Sequence, residues 1–225
     1  MKTFASLFQT LDETTKTTGK INALAHYFEQ AHETDRLWTI ALFSGRRPNR
    51  AVTTTQLRAW AAERSGVAPW LFEECYPIVG DLAETISLVL PGASKTSEAS
   101  LSDWLKALSA LKSESEDARK AFVLDAWDRL DGTERFLFNK LITGGFRVGV
   151  SQKLMTRALA KASGKDETDV AHRLMGNWTP LTTSYHALIE ADDPVSALSR
   201  PYPFYLASGL EGAPQDLGDI CEWHA

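Results

Sequence analysis

Apolar residues recur at helical spacing along most of the chain. Phe4, Leu7, Phe8 and Leu11 form one stripe, and Ile21, Leu24, Ala25 and Phe28 a second. Leu101, Trp104, Leu105, Leu108 and Leu111 form a third, and Phe122, Ala126, Trp127 and Leu130 a fourth. Each stripe covers one helix face and leaves the opposite face polar, as in helices packed around a shared core. Segments 71–75, 79–90, 166–175 and 182–190 are further helical candidates. Asp131-Gly132-Thr133-Glu134 has capping-box spacing ahead of a helix over 135–142. Residues 91–100, a Gly/Ser/Lys stretch, interrupt the pattern and read as an exposed connector or hinge. After Asp192-Asp193-Pro194 the helical period is lost, and Arg200-Pro201-Tyr202-Pro203-Phe204-Tyr205-Leu206-Ala207 reads as extended. The pattern predicts an all-α, multi-helix domain over residues 1–199, followed by an extended tail over 200–225. Most of the seven tryptophans belong to the predicted core, while Trp70 and Trp178, beside prolines, are expected at the surface.

Length and composition narrow the possibilities. A chain of 225 residues, 44% hydrophobic and 24% charged, buries a real core and is not disordered. Its longest apolar runs, 40–43 and 86–90, are too short to span a bilayer. The N-terminus carries no apolar h-region, so no secretory signal is expected. Two cysteines, Cys75 and Cys221, form neither a disulfide framework nor a CxxC pair, which fits a reducing cytoplasm. No phosphate-loop, dinucleotide-binding, zinc-protease or nucleophile-elbow motif occurs. The five histidines show no metal-ligand spacing, and Cys221-x-x-His224 in the irregular terminus is not read as a metal site. Arg129-Leu130-Asp131-Gly132 has the Asp-Gly of a nucleotidyl-transfer motif without its lysine, so Asp131 is read as a helix cap. Neither a metal nor a bound cofactor is expected.

Charge distribution changes this picture more than net charge does. The net charge of −5 argues against a polyanionic partner, but the average hides two basic islands. Segment 35–66 carries Arg36, Arg46, Arg47, Arg50, Arg58 and Arg64; segment 134–165 carries Arg135, Lys140, Arg147, Lys153, Arg157, Lys161 and Lys165. Together they hold thirteen of the 24 basic residues and three of the 29 acidic ones, leaving a balance of −15 elsewhere. A segregated positive surface steers polyanions towards itself.

The two islands are also similar to each other. Arg36 aligns with Arg135, Ser44-Gly45 with Thr143-Gly144, Val52-Thr53 with Val150-Ser151, and Ser65-Gly66 with Ser163-Gly164. Each unit reads as an apolar helix ending at Gly, an Arg-bearing loop, and a second helix opened by Thr53 or Ser151. Gly45 and Gly144 suit the left-handed position after a helix, and Thr53 and Ser151 the N-cap. The result is an approximate internal two-fold repeat over about 35–66 and 134–165. A helix N-terminus offers free N–H groups and partial positive charge to a phosphate. The candidate binding residues are Arg46, Arg47, Arg50, Thr53, Thr54 and Thr55 in the first unit. In the second they are Lys140, Thr143, Gly144, Gly145, Arg147, Gly149, Ser151, Gln152, Lys153 and Arg157. Two such cradles suit two phosphate stretches of a duplex.

The stretch Phe138-Asn139-Lys140-Leu141-Ile142-Thr143-Gly144-Gly145-Phe146-Arg147-Val148-Gly149-Val150-Ser151-Gln152-Lys153-Leu154 closely resembles the N-terminal DNA-binding domain of bacterial multidomain ATP-dependent DNA ligases. Three further stretches are similar to it: Leu42-Phe43-Ser44-Gly45-Arg46-Arg47-Pro48, Trp70-Leu71-Phe72-Glu73-Glu74-Cys75-Tyr76-Pro77-Ile78-Val79-Gly80-Asp81-Leu82-Ala83-Glu84-Thr85, and the Arg200–207 segment. The resemblance implies a monomeric domain that holds nicked or intact double-stranded DNA by its backbone and minor groove. It also implies a parent enzyme that uses ATP and Mg2+ to seal nicks in replication, repair or recombination. The nucleotidyltransferase and OB-fold domains of that enzyme are expected beyond residue 225, so no catalytic residue is assigned within this chain. The implied location is the bacterial cytoplasm, at the nucleoid when on DNA. The alternative from the residues alone is a protein-interaction module with an acidic helical body.

Overall fold

The predicted stripes converge on one continuous core. Phe4, Leu11, Leu24, Phe28, Leu101, Leu105, Trp127 and Phe138 are among its most deeply buried members. The computed structural model describes residues 1–46, 50–144, 146 and 148–191, and every regular element among them is helical. The predicted extended tail lies outside the described residues. The elements are α1 (Lys2–Glu13), α2 (Thr17–Gln30), α3 (Glu33–Phe43), α4 (Thr54–Ser65), α5 (Pro69–Val79) and α6 (Leu82–Val89). They continue with α7 (Leu101–Ala110), which ends in a 3-10 turn, then α8 (Glu116–Arg129), α9 (Gly132–Thr143), α10 (Gln152–Ser163) and α11 (Glu167–Met175). A π-helical turn, His186–Glu190, follows.

Local chemistry sets the boundaries. The helix expected over 79–90 is interrupted, because Gly80 takes a φ of 80° after α5 and Asp81 caps the backbone N–H of Glu84 at 3.1 Å. The helix expected over 135–142 starts earlier, where Asp131 accepts from the N–H of Gly132 at 2.9 Å. Glu134 does not close the expected box. Residues 91–100 are non-helical but firmly tied, contrary to a hinge. The N–H groups of Ser94 and Lys95 both donate to the Asp128 carbonyl, at 3.0 and 2.9 Å, and Arg135 donates to the Pro91 carbonyl at 2.7 Å. Trp70 is exposed as expected, whereas Trp178 is buried, with its indole N–H on the Leu174 carbonyl at 3.1 Å.

Helix order repeats with a period near 99 residues. α1 to α5 correspond in length and order to α7 to α11, and the contacts between the two sets are reciprocal. α2 packs on α10 while α8 packs on α4; α3 packs on α7 while α9 packs on α1. Reciprocity of this kind is the signature of an isologous contact. Two arginines that align in the sequence repeat do the same work in the two sets. Arg36 donates from Nε to the Ala31 carbonyl at 2.6 Å, closing the end of α2. Arg135 donates from Nε to the Leu130 carbonyl at 2.8 Å, closing the end of α8. Buried polar pairs also match in kind: Thr39 donates to the Tyr27 hydroxyl at 3.0 Å, and Trp127 Nε1 to Asn139 Oδ1 at 2.8 Å.

Candidate nucleic-acid interface

The two Arg-bearing loops each run from an apolar helix to the N-terminus of another. In the first, Thr53 forms a capping box: its hydroxyl accepts from the Gln56 N–H at 3.2 Å, and its own N–H donates to Gln56 Oε1 at 2.9 Å. In the second, Ser151 accepts from the Leu154 N–H at 3.2 Å. These caps orient α4 and α10 and satisfy one donor in each. The N–H groups of Thr54 and Thr55, and of Gln152 and Lys153, have no partner within their helices by helix geometry. Thr53, Thr55, Ser151, Gln152 and Lys153 are all exposed.

The fold brings the two loops together. Exposed Arg50, at the end of the first loop, donates to the carbonyl of Thr143, where the second loop begins, at 2.9 Å. Phe146 of the second loop packs edge-on against Phe43, the last residue of α3, with ring centroids 6.4 Å apart. It also meets Phe4 and Phe8 of α1. A cleft of about 240 Å³ joins Thr54 and Arg58 of α4 to Lys140, Thr143 and Gly144 at the end of α9. Gly144 and Gly149 have φ of 87° and 63°, a region in which a side chain is strained.

Not every predicted contact residue faces this surface. Arg46 turns inward, donating to the carbonyls of Trp178, Leu174 and Gly176 at 2.9, 3.2 and 3.0 Å. Its guanidinium carbon lies 4.6 Å from the Trp178 ring centroid, so this arginine closes the end of α11. Lys140 is buried, hydrogen-bonded to Asp81 and 5.4 Å from the Phe136 ring centroid. Both therefore leave the set of phosphate contacts, because Arg46 is taken up by three carbonyls and the Trp178 ring, and Lys140 by the Asp81 carboxylate. Thr143 directs its hydroxyl to the Asn139 carbonyl at 3.0 Å, leaving its backbone carbonyl for Arg50. Arg157 stays exposed beside Glu167 at 3.4 Å. Arg47, Gly145 and Arg147 lie outside the described residues.

Internal partners thin the basic islands considerably. Arg58 pairs with Glu73 at 2.9 Å and Arg64 with Asp128 at 2.6 Å. Arg36 and Arg135 cap helices. The charge left at the loops is thus concentrated on few side chains, Arg50 and Lys153 among the described ones. Asp81 shows the electrostatic cost of the internal pairs: burial raises its pKa, but hydrogen bonds from Lys140 and from backbone N–H groups outweigh that and hold it below the ordinary value.

Sequence reasoning missed Gln56, Lys20, Phe43, Phe146 and Arg119. Thr53-x-x-Gln56 was legible as a capping box. Lys20, which hydrogen-bonds the Val148 carbonyl from 128 positions away, carried no local signal. Among the described residues, no group of three or more His, Cys, Asp or Glu is placed to hold a metal, and no helix is long and apolar enough to cross a membrane.

The family model described as DNA ligase N terminus matches residues 1–160, which takes in both loops, all of α1 to α9 and most of α10. No curated protein matches the chain. The all-helical architecture agrees with that family, and the match covers well over half of the sequence. The chain therefore belongs to the family of DNA ligase N-terminal domains.

Proposed function

We propose that this chain is the DNA-binding domain of an ATP-dependent DNA ligase and grips duplex DNA through its phosphate backbone and minor groove. The observation that carries this reading is the hydrogen bond from Arg50 to the Thr143 carbonyl, which joins the two loops into one surface. Two outward helix N-termini, with Thr54, Thr55, Gln152 and Lys153, hold phosphates through N–H groups and partial positive charge. Arg50, Arg47 and Arg147 supply mobile-counterion displacement, and Gly144, Gly145 and Gly149 admit the backbone close to a groove wall. The grip holds nicked DNA for the adenylation and OB-fold domains of the parent enzyme, which use ATP and Mg2+ to join 3′-hydroxyl and 5′-phosphate ends. The chain itself acts as a monomer, in the cytoplasm.

Anisotropy titrations with intact and nicked duplexes of two unrelated sequences, over a salt series, test the reading. With roughly six phosphates neutralised, the log–log slope is about −5 and affinity at physiological salt is on the order of micromolar or weaker. Affinity independent of salt, or tied to one base sequence, overturns backbone recognition. One observation favours an additional protein contact: α5 exposes Trp70 and Ile78, at 69% and 85%, on one face.

A further inference from the structure

Each loop of the candidate interface is held by a side chain from the opposite set of helices. Lys20, the fourth residue of α2, donates its ammonium to the backbone carbonyl of Val148 in the second loop. Arg119, the fourth residue of α8, donates from Nη1 to the backbone carbonyl of Ala51 in the first loop at 3.1 Å. The two cations stand 99 positions apart, the period of the helix repeat. Their acceptors lie three residues before the Ser151 cap and two before the Thr53 cap, and next to each strap the valine Val148 or Val52 is buried. The arrangement is thus reciprocal: each set of helices reaches across to hold the loop of the other.

The straps also bear on the residues that must face DNA. A Cβ built on Gly149 would stand 2.9 Å from the Lys20 ammonium nitrogen, so the ammonium occupies the space a side chain would need. Arg119 is fixed from behind, donating to the Leu111 and Lys112 carbonyls, both at 3.0 Å, as well as to Ala51. A carbonyl held by a cation is a backbone position fixed a few residues before a helix N-terminus, and this sets the direction of the N–H groups that follow.

We propose that Lys20 and Arg119 are a pair of positioning residues, each setting the DNA-gripping conformation of the opposite loop. The inference rests on the duplex-gripping reading of those loops. Its structural half does not. Neither residue needs to touch a phosphate, which separates their role from that of Arg50 or Lys153. The coupling runs crosswise, so damage to α2 is felt at the start of α10 and damage to α8 at the start of α4.

The test uses the full chain bearing Lys20→Met, Arg119→Met, or the conservative Lys20→Arg. Hydrogen exchange measured without DNA reads the straps directly. Lys20→Met is expected to speed exchange over residues 148–153 and to leave 51–56 unchanged; Arg119→Met is expected to do the reverse. In duplex titrations each methionine variant is expected to weaken binding about tenfold, the order of one lost hydrogen bond to a charged group. The salt slope should stay near that of the parent chain, because a direct phosphate contact removes about 0.9 from it. Lys20→Arg, which keeps a donor within reach of the carbonyl, should restore both readouts. Unchanged exchange in the opposite loop, or loosening spread over the whole chain, overturns the strap. A slope reduced by about 0.9 with normal exchange overturns it as well, in favour of direct contact. If the parent chain binds no duplex, the gripping reading falls, while the crosswise exchange pattern still decides the straps.

Discussion

Arg46 and Lys140 show how a cation's neighbours decide its role. Arg46 meets three carbonyls and the Trp178 face, and removing it leaves those carbonyls and that ring to water. Arg46→Ala is therefore expected to cost about 2 kcal/mol of stability, read by thermal melting, while leaving the salt slope of duplex binding unchanged. Lys140 presents the opposite risk, since its ammonium is buried and its partner is Asp81. Asp81→Asn removes the charge but keeps the shape, and should destabilise the fold by about 2 kcal/mol at neutral pH. The pH dependence follows in sign. Asp81 has a folded pKa below its ordinary 3.8, so its contribution is complete above that value and is lost as pH falls through the lowered one. Acid titration of stability should show a shallower low-pH decline in the Asn variant than in the parent; parallel declines would count against the pair. Both residues were legible as basic residues in an Arg/Lys-rich segment. Their partners, Asp81 and residues 174–178, were not, because neither is near them in sequence.

At the scale of the helix, termini were the most legible feature. Thr53 and Ser151 occupy the N-caps, and Gly45 the positive-φ position after α3, that their sequence spacing predicts, because capping depends on backbone geometry within four residues. Gly144 departs from the expected left-handed conformation, with φ 87° and ψ 179°. The errors came where a local motif had two readings. Asp131 through Glu134 has box spacing, yet Asp131 caps the adjacent N–H and the helix begins at Gly132. Segment 79–90 has a helical period, yet Gly80 and Asp81 together form a stop and a start. The box at Thr53 gives a direct prediction. Thr53→Ala should cost about 1 kcal/mol by thermal melting and speed exchange of the Gln56 amide. Loss of duplex affinity should accompany it, since the frayed first turn no longer holds the Thr54 and Thr55 amides in place. Normal affinity with the expected loss of stability would remove α4 from the interface.

The sequence contains no Lys-x-Asp-Gly, the adenylation motif of the ligases it resembles, and the DNA-binding reading assigns the ATP chemistry to another domain. Incubated with labelled ATP and Mg2+, these 225 residues are expected to stay unlabelled; a stable lysine–AMP adduct would overturn the assignment of adenylation to another domain. The net charge of −5 is likewise a whole-molecule property, and it says little about the loops. Counting thirteen cations in two islands overstated the free charge there, because a count ignores which guanidinium faces a carbonyl and which faces water. Helical period, caps and the resemblance of two segments are short-range features, and each was readable from neighbouring residues. That sufficed for an all-α domain built from related units with the family's loop residues in order. Meeting of the loops was a different matter: Arg50 finds Thr143 across 93 positions, Arg46 finds Gly176 across 130, and Lys20 finds Val148 across 128. Contacts at such separations follow from how helices pack, and packing is settled by the shape of the entire core rather than by any segment of it. Local chemistry chose the helices and their ends; only the packed core decided which cations stayed exposed at the loops.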